Sequence, residues 1–157
     1  MQTLSISRTN SFIAANSESR PTTPESSGFE YPAVARQELV SDWERAFYPH
    51  LVQAGYRPIP QFGIDNYLLD FALLRPNGRK LDIEIDGEKY HKDWDGELIR
   101  RDQLRNLRLI EMGWDILRLW VYEVRDSLPD CVMRVKRWAE EADSLPEVNP
   151  SSMGQYS

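Results

Sequence analysis

Several common features are missing from this sequence of 157 residues, and each absence excludes a class of protein. Cys131 is the only cysteine, so no disulfide forms within the chain and no cysteine-based zinc site exists. No apolar run approaches the roughly 18 residues of a membrane-spanning helix. The first 20 residues also lack the apolar stretch of a signal peptide. We therefore expect a cytoplasmic protein with no membrane partner.

A surplus of positive charge is also missing. The chain carries 19 Lys and Arg residues against 25 Asp and Glu residues, for a net charge of −6. This balance argues against a surface that binds polyanions over its whole extent. A local basic face on an acidic protein remains compatible with nucleic-acid binding.

Both ends of the chain are poor in large apolar residues. Residues 1–32 contain seven Ser, four Thr and three Pro, and residues 144–157 have a similar composition. Such segments bury too little apolar surface to offset the entropy lost on ordering. We expect disordered tails at 1–32 and 144–157 around one domain at 33–143.

The middle of the chain alternates between helical and extended patterns. Ser41 and Glu44 have the S-x-x-E spacing of a capping box, which predicts a helix from Ser41 to Ala54. The strand and helix at 80–86 and 97–112 precede another strand, a β-α-β order that predicts a parallel strand pair. The predicted elements are a helix at 41–54, strands at 56–62, 67–74 and 80–86, a helix at 97–112, a strand at 114–120 and a helix at 129–143.

The helix at 97–112 has two chemically different faces. Apolar residues share one broad face, and three arginines share the opposite face. The polar residues Asp102, Gln103 and Asn106 fall on the inward side of the helix, near Ile99, so we expect its N-terminal half to overlook the site and not the core. We expect the arginines to contact phosphates, with a solvated helix face as the alternative. The apolar residues are Ile99, Leu104, Leu107 and Ile110, and the arginines are Arg101, Arg105 and Arg108.

Acidic side chains concentrate on two predicted strands. Asp82, Glu84 and Asp86 project from one face of their strand, and Asp70 lies within an apolar strand. A buried charge is costly unless it is paired or bound to a metal, and Mg²⁺ prefers carboxylate oxygens together with water. Asp70 and Glu84, on adjacent strands, are candidate ligands for one ion, and the Ile85 carbonyl is a candidate third ligand.

Structural explanations for the same residues remain open at this point. Asp82 and Asp86 have the alternative of solvated carboxylates at a sheet end, which is the better explanation for Asp82. The alternative for Asp70 is a salt bridge to a core arginine. Glu44 is explained by the capping box alone. His91, taken by itself, is more often a hydrogen-bonded structural histidine than a catalyst.

A longer set of motifs resembles a known superfamily. The segments are PQFGIDNYLLDF (60–71), LDIEIDG (81–87), His91, RDQLR (101–105) and GWDILRLW (113–120). In this order and at this spacing they resemble the PD-(D/E)XK nuclease superfamily, and more narrowly the restriction-endonuclease-like domains related to very-short-patch-repair endonucleases. The resemblance covers roughly residues 38–140. It implies an α/β fold in which helices flank a mixed central sheet of about four strands.

The resemblance also implies a function and a set of site residues. It implies a Mg²⁺-dependent DNA endonuclease, with Mn²⁺ as a substitute metal, that acts in DNA repair or in defence against foreign DNA. Asp70 and Glu84 match the family's metal-binding acids, and Glu44 matches an acid on the first helix. The other implied site residues are His91, which matches a histidine after the Asp-Gly turn, and Gln61, which matches a polar residue near the site.

One position departs from the superfamily pattern. Asp86 occupies the place of the Lys in (D/E)-x-K, where we expect it to bind the metal or a second metal instead. Lys80, Lys89 and Lys92 are candidates for the missing cation, and Lys92 is also a candidate nucleic-acid contact. Domains of this type often occur at the ends of bacterial helicases, so a helicase or another specificity-giving protein is an expected partner. The alternative function is a catalytically inactive module that binds nucleic acid or docks onto a helicase or defence complex.

Overall fold

The computed structural model of the chain describes residues 29–87 and 96–149. It is an α/β structure in which helices flank a four-stranded sheet, as the resemblance implied. Two short elements, a 3-10 turn and α3, were not predicted. The elements are a 3-10 turn (Gln37–Leu39), α1 (Asp42–Gln53), β1 (Ile59–Ile64), β2 (Tyr67–Leu74), β3 (Lys80–Asp86), α2 (Gly96–Glu111), β4 (Trp114–Trp120), α3 (Val121–Asp126) and α4 (Leu128–Asp143).

The sheet is mixed and follows the order of the chain, β1-β2-β3-β4. The first three strands pair antiparallel, and β3 pairs parallel with β4, which confirms the predicted parallel pair. The register sets Glu84 beside Arg118 and Asp86 beside Trp120. Pro60 lies in β1, an edge strand, where the missing N–H of a proline is tolerated.

Each face of the sheet is covered by helix. On one face Phe71, Leu81 and Ile83 pack with Phe47 of α1 and Val135 of α4. On the other face α2 contributes Leu109 to a smaller cluster. That cluster also contains Leu69, Ala72 and Trp114. The candidate acids of β3 lie on the side of the sheet that faces α2.

The start of α1 confirms the predicted capping box. Glu44 N donates to Ser41 Oγ at 3.1 Å, and Ser41 N donates to Glu44 Oε2 at 3.3 Å. Pro49 lies inside the helix, which nevertheless continues to Gln53. The helix is followed by Gly55, whose φ of 101° is in the region that favours glycine.

The orientation of α2 is the main error of the sequence prediction. Four of its large apolar residues, expected near the inward side, are exposed, while Arg105 points to the sheet. The reason is the polarity of the surface that the helix covers. β3 presents Asp82 and Glu84 there, so the polar side of α2 packs inward and supplies a cation. The expected inward placement of Asp102 and Asn106 is confirmed, because both accept hydrogen bonds from a side chain of β4. The exposed residues are Ile99, Leu104, Leu107 and Ile110.

Residues assigned to the two tails also make contacts. Tyr31 packs against the core beside Tyr48 and Phe71. Val148 N donates to the Asn77 carbonyl at 2.9 Å, so the segment after α4 returns to the turn between β2 and β3. Residues 1–28 and 150–157, the outer parts of the predicted tails, lie outside the described residues. Among the residues that are described, no helix is long and apolar enough to cross a bilayer.

Candidate active site

The candidate site is centred where β2 and β3 stop pairing. Their register ends at Phe71 and Ile83, and continuing it by one residue sets Asp70 opposite Glu84. Here side chains replace backbone acceptors. Asp70 N donates to Glu84 Oε2 at 3.3 Å, and Ile85 N donates to Asp70 Oδ2 at 2.9 Å. Both carboxylates therefore satisfy backbone N–H groups at the point where the two strands part.

Asp82 belongs to the same buried surface. Its side chain is fully buried, so the expectation of a solvated carboxylate at a sheet end is wrong. Asp82 pairs with Ala72 and Ile116 in the register, which places it in the middle of the sheet. Asp82 Oδ2 accepts from Arg105, and Asp82 Oδ1 has no hydrogen-bond partner among the described residues. A buried oxygen without a donor is costly.

Arg105 contacts two of these acids, Asp82 and Glu84. Its Nη2 donates to Glu84 Oε2 at 2.6 Å and to Asp82 Oδ2 at 3.3 Å. The side chain is only 15% exposed, so the guanidinium is held inside the protein and not on the outer face of α2. The prediction that Arg105 shares an exposed phosphate-binding face with Arg101 and Arg108 is therefore wrong as to its position.

A second arginine, which the sequence analysis did not single out, completes the polar layer. Arg118 of β4 donates to Asp86 Oδ2 at 2.7 Å and to Asp102 Oδ1 at 2.6 Å. It also donates to Asn106 Oδ1 at 3.1 Å. Arg118 lies between two leucines in the strand WDILRLW, and a charge among apolar strand residues is the same kind of signal that identified Asp70.

Burial and the surplus of acidic side chains raise the pKa values of the carboxyl groups in the site. Burial, and next the charge of Glu84, raises the pKa of Asp70 to about 9. Burial and Asp82 raise the pKa of Glu84 well above its usual range, although Arg105 acts in the opposite direction. Burial is also the main reason that the pKa of Asp82 is raised. These carboxylates are short of positive charge in the metal-free protein.

Glu44 lies near this group but serves as a helix cap. Its Oε2 accepts from Ser41 Oγ at 2.9 Å as well as from Ser41 N. Burial raises the pKa of Glu44, and the charge of Glu44 contributes to the raised pKa of Asp70. These hydrogen bonds confirm the predicted role of Glu44 as a helix cap. Its role as an outer metal ligand stays a prediction.

Gln61 lies across from Asp70 on β1. The register pairs Pro60 with Phe71 and Phe62 with Leu69, which sets Gln61 opposite Asp70. The Gln61 amide is engaged with the backbone of Arg36, because Oε1 accepts from Arg36 N at 3.1 Å and Nε2 donates to the Arg36 carbonyl. Its φ of 50° is unusual for a residue other than glycine.

The other predicted site residues that the structure describes do not lie together at the acids. Arg101 is exposed and lies 4.0 Å from Glu97, whereas Arg108 donates to Asp65 at 2.9 Å. The three arginines predicted to share one face of α2 therefore do not form one stripe. His91 and Lys92 lie outside the described residues.

The donor set suits a hard cation. Asp70 and Glu84 supply carboxylate oxygens on adjacent strands, and Asp82 holds an oxygen that no described donor satisfies. Within residues 29–87 and 96–149, no three His, Cys, Asp or Glu side chains are grouped to hold a metal. Mg²⁺ usually binds through one or two carboxylates and keeps several waters, so two acids and a backbone carbonyl are enough to hold it.

Comparison with models of protein families identifies the family of the chain. The sequence model of the restriction-endonuclease-like family REase_MTES_1575 matches residues 43–137, from α1 into α4. The matched region contains Asp70, Glu84, Arg105 and Arg118. No curated protein is significantly similar to the chain.

Proposed function

Because this chain belongs to the REase_MTES_1575 family of restriction-endonuclease-like proteins, we propose that it is a metal-dependent DNA endonuclease. The proposed reaction is hydrolysis of a phosphodiester bond. The proposed ligands of Mg²⁺, or of Mn²⁺ as a substitute, are Asp70, Glu84 and the Ile85 carbonyl. DNA repair and defence against foreign DNA are the proposed settings, with a helicase or other protein supplying specificity.

One observation carries the proposal. Asp70 and Glu84 meet where β2 and β3 part, and each accepts a hydrogen bond from the backbone of the other strand. Their carboxylates are thus fixed relative to one another by the sheet and not by flexible loops. Sites of this rigidity hold ligands in a defined geometry.

The charge of the surroundings supports a cation at this position. Arg105 contacts Asp82 and Glu84, whereas the charges that act on Asp70 are the acidic ones of Glu84, Glu44 and Asp86. Mg²⁺ bound to these acids supplies Lewis-acid stabilisation of the charge that develops on the phosphate. The chain's own contribution is to hold the acids in place and to limit water around them through burial.

We propose that Arg105 replaces the lysine that the motif lacks. In (D/E)-x-K the lysine follows the acid by two positions, where this chain has Asp86. Arg118 pairs with that Asp86, and the guanidinium that contacts Glu84 comes from α2. Arg105 would keep a positive charge beside the metal-binding acid, as the lysine does in the motif.

A second candidate function has one observation in its favour. Asp86 is engaged in an ion pair with Arg118 at 2.7 Å, so it is already occupied in the metal-free protein. Asp86 paired in this way supplies neither the positive charge of the motif lysine nor a free metal ligand. The second candidate is therefore a protein that keeps the fold, binds DNA and does not cleave it.

Plasmid cleavage separates the two functions. We expect the full chain to nick or linearise plasmid DNA in Mg²⁺ and to be inactive in EDTA. Asp70→Asn and Glu84→Gln should abolish cleavage, while Lys136→Gln, an exposed change on α4 at the other face of the sheet, should not. DNA binding without cleavage in either metal would favour the inactive module, and the salt dependence of that binding would report the number of phosphate contacts.

A further inference from the structure

The outer face of α2 carries an apolar patch that the nuclease function does not use. Ile99, Leu104, Leu107 and Ile110 are each between 43% and 58% exposed. At about 100° per residue they cover one side of the helix, opposite Arg105 and Leu109, which face the sheet. Contiguous exposed apolar surface on a protein usually marks an interaction site.

We propose that this α2 patch is the interface of a homodimer, in which α2 packs antiparallel against α2 of a second copy. The patch is compatible with a two-fold axis. Such an axis midway between Leu104 and Leu107 places each of these leucines against the other leucine of the partner. An interface of this kind must be self-complementary, because both copies present the same surface.

The charges that flank the patch favour this arrangement. Arg100 lies four residues, about one helical turn, before Leu104, and Glu111 lies the same distance after Leu107. The antiparallel pair therefore sets Arg100 opposite the partner's Glu111, and the same pair forms twice. A parallel arrangement would instead set each arginine beside the partner's arginine and repel.

The flanking charges are available for this pairing. Arg100 and Glu111 are exposed, and their contacts within the helix are to exposed or half-buried neighbours, Glu97 at 2.9 Å and Arg108 at 4.0 Å. Exchange of such a surface ion pair for one between subunits costs little. Ile99 and Ile110 extend the apolar contact toward the two ends of the helix. The patch also lies on the side of α2 away from the sheet, so dimerisation adds no cover over Asp70 and Glu84.

The affinity should be moderate. One helix pair buries less surface than the roughly 1,600 Å² of a standard stable interface. We therefore expect a dissociation constant in the micromolar range, and sedimentation velocity of the full chain from about 1 to about 100 μM should show a concentration-dependent dimer.

Variants test the assignment of the interface. Leu107→Glu should weaken dimerisation at least about tenfold, whereas Met133→Glu, at an exposed position of α4, should not. Arg100→Glu should weaken the dimer, and adding Glu111→Arg should restore it.

A monomer at all concentrations, or a dimer insensitive to Leu107→Glu, would overturn the inference. A lower melting temperature of the Leu107→Glu monomer would also overturn the inference. It would show that Leu107 packs against residues of its own chain and is not free to contact a second copy. The inference is independent of whether the protein cleaves DNA.

Discussion

Asp70 and Glu84 each place a carboxylate oxygen on the backbone of the other's strand. Glu84 Oε2 accepts from Asp70 N at 3.3 Å, and Asp70 Oδ2 accepts from the amide that follows Glu84 at 2.9 Å. The two acids thereby close the end of the β2–β3 pairing. The same arrangement concentrates negative charge and buries it, which is unfavourable for an isolated protein and suitable for binding a cation.

Glu84→Gln should show whether Glu84 binds the metal or has only a structural role. We expect Mg²⁺-dependent cleavage to fall by orders of magnitude, because the variant loses a charged ligand of the metal. The amide oxygen can still accept from Arg105, and Asp82 still pairs with that arginine. The melting temperature in EDTA should therefore change by only a few degrees. A large loss of stability with cleavage intact would show that Glu84 is purely structural.

Asp70→Asn should stabilise the metal-free protein in a pH-dependent way. Burial raises the pKa of Asp70 to about 9, so between its unfolded pKa near 4 and that value the folded state holds the proton that the unfolded state has lost. The wild-type chain therefore loses stability as pH rises through this range, and Asn, which does not titrate, does not. Melting temperatures in EDTA at pH 5 and pH 8 measure this.

The Asn variant should melt higher than the wild type at pH 8, with a smaller difference at pH 5. Its amide oxygen can still accept from Ile85 N, so the backbone contact is kept. If Asp70→Asn lowered the melting temperature at pH 8, the carboxylate would have a stabilising partner, and its burial would not be a cost.

Arg105→Met should destabilise the fold, whereas Arg101→Met should not. The Arg105 guanidinium is 15% exposed and contacts two buried acids, and removal of one partner from a buried pair typically costs about 3 kcal/mol. Arg101 is exposed and lies 4.0 Å from Glu97, so its loss should cost less than about 0.5 kcal/mol. Urea unfolding at pH 7.5 measures both free energies.

For DNA binding we expect the reverse: the loss of Arg101 should change the salt dependence, and the loss of Arg105 should not. A phosphate contact by Arg101 contributes about one unit to the slope of log affinity against log salt, and Arg101→Met should remove it. Arg105 is held at the acids and should contribute no such unit. Equal stability losses, or a changed salt slope in Arg105→Met alone, would contradict the placement of Arg105.

Arg118→Lys should weaken the link between β3, β4 and α2. One guanidinium bridges Asp86 and Asp102, and a lysine ammonium cannot reproduce that planar double contact. We expect a loss of about 1–2 kcal/mol in the free energy of unfolding, and a similar loss for Asp86→Asn. In a double-mutant cycle the combined variant should lose clearly less than the sum, since both changes break the same ion pair. Additive losses would mean that the pair contributes nothing in solution.

Much of the secondary structure follows from local sequence. The capping box at Ser41, the strand pattern of 80–86 and the exact limits of β4 all depend on neighbouring residues, so the sequence predicts them. The candidate acids depend on local pattern in the same way. Asp70 stands out as a charge in an apolar strand, and Glu84 as one of three acids that alternate with apolar residues along β3. α3 was missed because it has six residues and follows β4 directly, too short for a helical period to be read.

The tertiary structure alone decided which side of α2 is buried. Periodicity shows that Leu104 and Leu107 share a face and that Arg105 lies on another, but it does not show which face meets the sheet. That choice depends on the surface being covered, and β3 presents carboxylates there. Burying Leu against Asp82 and Glu84 would leave those charges without a partner, whereas burying Arg105 pairs them. The sequence determined the elements and the acids, and the packing of α2 on β3 determined where the cations lie and which apolar face stays exposed.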